Sequence, residues 1–174
     1  MSFRSLFSLI GILFVGGCAS GPSPQTADHV DLSRYAGTWY EIARITKWFE
    51  DGCVAVTATY EPRPDGKLTV TNRCRDGSLT GKERSIAGTA RVVDAPHNAQ
   101  LKVCFFWPFE GDYWILRLKD DYSTAAVGSP DRKTLWILHR QPTMSPDEYA
   151  ALVASLNADG CPTDRLERGP QLTP

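Results

Sequence analysis

From Cys53 onward the apolar residues recur at every second position, a period that predicts strands with one dry face and one wet face. Val54, Val56, Ala58 and Tyr60 alternate with Ala55, Thr57 and Thr59, and Leu68, Val70 and Asn72 alternate with Thr69, Thr71 and Arg73. Between these runs Pro62-Arg63-Pro64-Asp65-Gly66 carries the punctuation of a hairpin loop, so the two strands pair. A further run sets Ile86, Gly88, Ala90 and Val92 against Ser85, Ala87, Thr89 and Arg91, and its small inward residues leave space inside. Leu101, Val103 and Phe105 are expected to face in while Lys102 and Cys104 face out. Trp114, Leu116 and Leu118 are expected to face in against Arg117 and Lys119. A weaker strand runs from Tyr122 to Gly128, and another from Thr134 to Arg140 places Trp136 and Leu138 inward. With the strand-like Gly37-Thr38-Trp39-Tyr40-Glu41-Ile42-Ala43-Arg44 these make eight short half-apolar strands with no helix between them. That pattern predicts an all-β, up-and-down antiparallel barrel.

One helix follows. Ser145-Pro146-Asp147-Glu148 supplies a cap, a proline for the first helical position and acids for the first turn. Tyr149, Leu152, Val153 and Leu156 share a face, and Gly160 ends the run, so the helix is expected to pack outside the barrel wall. Ahead of the barrel, Arg4 and the apolar run Leu6 to Val15 read as a signal peptide over residues 1–17. Val15-Gly16-Gly17-Cys18 resembles the lipobox of bacterial lipoproteins, in which the cysteine is diacylated and becomes the first residue of the mature chain. Ala19 lacks the aspartate that in such lipoproteins signals retention in the inner membrane, which implies the periplasmic leaflet of the outer membrane. Residues 18–30, rich in Ser, Gly and Pro at their start, read as the lipidated cysteine and a flexible tether. Residues 31–166 hold the barrel and helix, and 167–174 read as an unstructured tail. At 174 residues and 42 % hydrophobic composition the chain suits one packed domain. Its net charge of -1, without a basic run, favours neither a nucleic acid nor an anionic membrane surface as a partner.

In the first strand Gly37 allows a tight bend and Trp39 is a flat plug for the barrel base. This octet resembles the first signature of the lipocalins, and two more pieces of that family's pattern follow in order. Asp120-Asp121-Tyr122 is similar to the family's T-D-Y turn, with Asp120 in place of the threonine. Leu138-His139-Arg140 supplies, in Arg140, the basic residue that in the family stacks across the tryptophan at the closed end. From Tyr35 to about Leu166 the chain looks most like the bacterial lipocalins, which are outer-membrane lipoproteins. Phe105-Phe106-Trp107-Pro108-Phe109, Pro130-Asp131-Arg132 and Leu135-Trp136-Ile137-Leu138 match that subgroup in wording and spacing.

Five cysteines become four once Cys18 carries lipid, and an even number in an oxidising compartment favours disulfides over metal. Three pairings of the four exist. The hairpin brings Cys53 and Cys74 together. For Cys104 and Cys161 the resemblance implies the staple that ties a lipocalin barrel to its C-terminal segment; four free thiols are the alternative. No C-x2-C pair exists, and His29, His97 and His139 are scattered, so no metal site is expected. None of the three histidines adjoins a nucleophile in a motif, and no nucleophile elbow, phosphate loop or dinucleotide fingerprint occurs. Glu41 is anomalous, because the parity of Trp39 and Ala43 places its carboxylate inside, where it needs a partner for structure or for ligand selection.

The expected function is therefore non-enzymatic and needs no cofactor: a lipid carrier whose ligand the resemblance implies to be a fatty acid or lysophospholipid. The expected lining is Val56, Tyr60, Val103, Phe105, Trp114, Leu116, Trp136 and Leu138. A homodimer of the barrel is compatible with the sequence. The rivals are a lipocalin-like isomerase or thiol redox enzyme, and a mainly structural envelope lipoprotein.

Overall fold

A computed structural model gives the fold and describes residues 23–45 and 51–172. The expected signal peptide, Cys18 and the first residues of the tether lie outside the described residues. The elements are α1 (Leu32–Tyr35), β1 (Gly37–Arg44), β2 (Cys53–Pro62), β3 (Leu68–Asp76), β4 (Glu83–Val92), β5 (Gln100–Phe106), β6 (Phe109–Leu118), β7 (Thr124–Gly128), β8 (Leu135–His139), α2 (Pro146–Ala158) and β9 (Glu167–Arg168). From β2 to β8 each strand pairs antiparallel with the next, β8 pairs with β1, and β1 returns to β2. The result is a closed eight-stranded barrel, which leaves no long edge for another chain to extend.

Chain direction sets the two ends. The start of β1 lies at the same end as the β2–β3, β4–β5 and β6–β7 loops, and the β1–β2, β3–β4, β5–β6 and β7–β8 connections lie at the opposite end. Two apolar clusters fill the structure. The inner one joins Tyr35, Trp39, Tyr60, Leu68, Val70, Leu101, Val103, Ile115, Val127 and Leu138. The outer one joins Ile42, Ala43, Leu116, Ala126, Leu135 and Ile137 of the wall to Leu156 of α2 and to Cys161. Ser145 caps α2 by accepting a bond from the Glu148 N–H at 3.2 Å, and Gly160 leaves it at φ +75. Arg117 is ion-paired to Asp159, and Thr124 donates to Glu148 at 2.7 Å, which ties both ends of the helix to the wall.

The ladders shift register at four places, and two of these shifts carry expected residues across the wall. Between Glu41 and Ala43 the β1–β8 register slips, so Trp39 and Glu41 point in but Ala43 belongs to the outer cluster. Between Ile115 and Arg117 the β6–β7 register slips in the same way. Leu118 therefore faces in while Trp114 and Leu116, expected inside, lie in the outer cluster; Tyr113 and Ile115 take the inner positions.

Residues 27–30 and 167–171, on either side of the barrel strands, are tied to the wall despite their composition. Val30 is buried, the Ala27 N–H donates to the Ile115 carbonyl at 2.8 Å, and His97 Nδ1 lies 2.7 Å from the Asp28 carbonyl oxygen. At the C-terminus β9 pairs with β1 through Ala43↔Arg168 and Arg44↔Glu167. Beyond it Gln171 Nε2 donates to the carbonyls of Glu41 and Val56 at 2.7 and 3.0 Å, bridging β1 and β2 where their own ladder has stopped.

Cys53 and Cys74 form a disulfide with their Cα atoms 5.4 Å apart, across the first and last residues' end of the β2–β3 hairpin. Cys104 and Cys161 are free thiols, so the staple between them does not exist. The reason is placement: α2 covers β1, β6, β7 and β8, and Cys161 is buried in that cluster, whereas Cys104 sits on β5 opposite Thr89 of β4.

Candidate functional site

The closed end is built around Trp39, which is fully buried. Its indole Nε1 donates to the Tyr35 carbonyl at 2.8 Å, and the Arg140 guanidinium lies 3.8 Å from its ring centroid. Arg140 Nη2 lies 2.9, 3.0 and 2.9 Å from the carbonyls of Arg34, Tyr35 and Ala36, so two protons serve three acceptors. Nη1 donates to Thr38 at 2.9 Å and Nε to Tyr122 at 3.3 Å. A guanidinium fork thus fixes the short α1 turn beneath the barrel. Gly37 has φ +93 beside it, a conformation that L side chains rarely adopt, and a Cβ there would meet Arg140 Nη1 at 3.4 Å. The Asp120-Asp121-Tyr122 turn completes the base. Asp121 Oδ1 accepts from the Ser123 N–H at 2.9 Å, while the Tyr122 hydroxyl accepts from the Asp31 N–H at 2.9 Å and its ring lies under Arg34. The Ser123 bonds hold the Asp121 carboxyl below its ordinary range.

Above this plug the interior changes character. Tyr35, Tyr60 and Tyr113 converge, with Tyr113 Oη 2.7 Å from each of the other two hydroxyl oxygens. Three hydroxyl protons serve two bonds, which leaves one proton for an acceptor. Burial pushes all three phenols up, so they remain neutral donors. Toward the open end Phe105, Tyr113 and Trp136 are half-buried members of the inner cluster. Trp136 pairs in register with Arg44, so the two share the inner face. Arg44 lies 2.5 Å from Glu41 Oε1 and donates to the Cys53 carbonyl at 2.9 Å. The inward carboxylate is thereby matched, and the structural reading of Glu41 accounts for it.

Of the expected lining, Tyr60, Val103, Phe105, Trp136 and Leu138 lie in the inner cluster; Tyr60, Val103 and Leu138 are buried there, Phe105 and Trp136 partly open. Val56 belongs to neither cluster, and its carbonyl receives Gln171. Trp114 and Leu116 lie on the other side of the wall. Tyr113, Ile115 and Arg44 are inner residues that parity alone missed. Asp112 held the signal for Tyr113: a carboxylate pairs at 2.7 Å with outward Lys102, and it shares the parity of Trp114. Among the described residues no group of three or more His, Cys, Asp or Glu is placed to hold a metal ion.

The structure is a closed antiparallel barrel, plugged at one end by Trp39 and carrying half-buried inner aromatic residues toward the other. A lipocalin-like domain family matches residues 30–171. The outer membrane lipoprotein Blc of Escherichia coli K12 is 41 % identical over 149 residues, covering 84 % of each chain. The protein of the same name from Vibrio cholerae is 34 % identical over 165 residues, covering 94 % of this chain and 96 % of its own. Among solved structures, insecticyanin from the tobacco hornworm Manduca sexta superposes with a TM-score of 0.68 at 20 % identity, over 85 % of this chain and 84 % of that one. The chain belongs to the lipocalin family, and its similarity to the Blc lipoproteins places it among the bacterial lipocalins.

Proposed function

We propose that this chain is a lipid carrier, holding the acyl chain of a fatty acid or lysophospholipid inside the barrel with the polar head toward the open end. The observation that carries this reading is the half-buried inner surface of Phe105, Tyr113 and Trp136 above a floor sealed by Trp39. Apolar surface that the fold leaves partly wet is surface a ligand can dry. At about 0.8 kcal/mol per buried CH2, a sixteen-carbon chain supplies roughly 11 kcal/mol, against an association cost of about 4–15 kcal/mol. Arg44 and Glu41 near the rim give the head group polar partners.

The lipobox-like sequence ending at Cys18, and relatives named outer membrane lipoproteins, support a lipid-anchored protein of the outer membrane. Cys18→Ser leaves such a protein unanchored, which fractionation after a salt wash detects. A thiol-based enzyme fits less well. Burial pushes the Cys161 thiol up, the opposite of what a reactive thiolate needs. Native mass spectrometry of the unlipidated chain after incubation with mixed fatty acids and lysophospholipids tests the carrier reading. A one-to-one adduct that persists on gentle activation is expected; a spectrum free of adducts with every lipid class favours a structural envelope role instead.

A further inference from the structure

Phe106, Trp107 and Phe109 are 69 %, 89 % and 75 % exposed, and they sit together on the turn of the β5–β6 hairpin. That ladder runs out to Phe106↔Phe109, while the neighbouring β4–β5 ladder stops at Thr89↔Cys104, so the tip stands clear of the wall. The turn belongs to the open end of the barrel. The ionised groups just behind it are matched to one another: Arg91 forms two bonds to Glu110, at 2.9 and 2.6 Å, and Lys102 lies 2.7 Å from Asp112. An aromatic tip of this size, flanked by charges already neutralised, gains by leaving water and loses little by approaching an apolar surface.

We propose that Phe106, Trp107 and Phe109 form a membrane-contact tip that enters the interfacial layer of the phospholipid bilayer and holds the open end of the barrel against it. From the proposed function this takes only the lipid on Cys18. Two lengths make the geometry workable. Ala27 is tied to Ile115 and lies nine positions after Cys18, an extended reach of about 30 Å. Ile115 lies six residues along β6 from Phe109, about 20 Å. The anchor chain is therefore long enough for the lipid on Cys18 and the aromatic tip to meet one membrane plane. Tryptophan with an exposed apolar body and an N–H suits the head-group level, and the net charge of -1 makes the contact apolar instead of ionic. Such a contact lets a lipid pass between bilayer and barrel without crossing open water.

The test uses the unlipidated chain from Ala19 to Pro174, which keeps every strand, both apolar clusters and the disulfide, with vesicles of phosphatidylethanolamine and phosphatidylglycerol. The wild-type chain is expected to sediment with the vesicles equally at low and high salt, and brominated acyl chains should quench fluorescence that Trp107→Phe removes. Trp107→Ser should weaken partitioning about tenfold. The combined Phe106→Ser, Trp107→Ser and Phe109→Ser variant should fall to background with an unchanged melting temperature, because these side chains pack against little. Wild-type partitioning that survives the triple substitution, or that salt abolishes, overturns the proposal. So does a concentration-dependent dimer that the triple variant loses while neither protein binds vesicles, since the tip is then an interface between copies. None of these readouts depends on lipid inside the barrel, so a carrier reading that fails leaves this result standing, and the reverse.

Discussion

Arg140→Ala should cost about 3–5 kcal/mol of folding stability, and its cost should not add to that of Trp39→Ala. The Arg140 guanidinium commits at least four N–H protons to main-chain carbonyls of α1, β1 and the β6–β7 turn, and it covers the Trp39 ring at 3.8 Å. A hydrogen bond to a charged group contributes about 1.5–3 kcal/mol where water is excluded. At this half-buried rim water replaces part of each bond, so roughly 0.5–1 kcal/mol apiece is appropriate, with about 1 kcal/mol for the cation over the indole. Trp39→Ala removes a fully buried large aromatic and should itself cost about 3–5 kcal/mol. Both side chains converge on the Tyr35 carbonyl, which accepts from Trp39 Nε1 and from Arg140 Nη2. The double variant should therefore fall short of the sum by about 1–2 kcal/mol. Arg140→Lys keeps the charge but replaces the fork with a single ammonium, and should recover less than half of the loss. Urea unfolding with the disulfide intact, followed by far-UV circular dichroism, measures all four proteins. Losses that add to within about 0.5 kcal/mol would refute the shared-carbonyl account.

Replacing both Cys53 and Cys74 by Ala should cost about 3 kcal/mol, the loop-closure entropy for a separation of 21 residues, read as a lower urea midpoint; an unchanged midpoint means the bridge constrains nothing. The Ser129 hydroxyl, with help from Lys133, lowers the Asp131 carboxyl to about 2. Because the folded value is depressed, its stabilisation is complete above the unfolded value near pH ~4 and fades as the pH falls toward ~2. Asp131→Asn should flatten that acid limb in melting temperature against pH, and parallel limbs for the two proteins would exclude the carboxyl as its source.

Much of the barrel was legible because alternation and turn chemistry are local. The strand runs, the Pro64-Asp65-Gly66 hairpin and the Ser145-Pro146 helix start all act within a few residues, and the structure repeats them. The base was legible as well, since Gly37, Trp39, Tyr122 and Arg140 each have a distinctive chemical reason to be there. Bulges were not. One extra residue at Ile115/Arg117 inverts every inside–outside assignment on one side of it, and a count of apolar positions fits either phase until Asp112 is weighed against Lys102. Ala43 was misplaced by the same mechanism. The order of the C-terminal tail rests on Gln171 bridging β1 and β2, a contact 130 residues distant from Glu41 in sequence and invisible to local composition. The pairing of Cys104 with Cys161 needed to know which strands the helix covers, and only the packing of Leu156 and Cys161 on β1, β6, β7 and β8 answers that.

The two tryptophans separated by the wall provide the most direct test of the carrier account. Trp136 belongs to the inner cluster beside Arg44, and Trp114 to the outer cluster beneath α2, although each is half-buried. Affinity for a long-chain fatty acid should be measured by titration calorimetry on Trp136→Ala, Trp114→Ala and the wild type. Trp136→Ala should bind about tenfold more weakly, the loss of roughly 1.4 kcal/mol of contact between ring and acyl chain, while Trp114→Ala keeps wild-type affinity despite a lower melting temperature. Equal affinities for all three proteins, or a loss confined to Trp114→Ala, would contradict a ligand held inside the barrel.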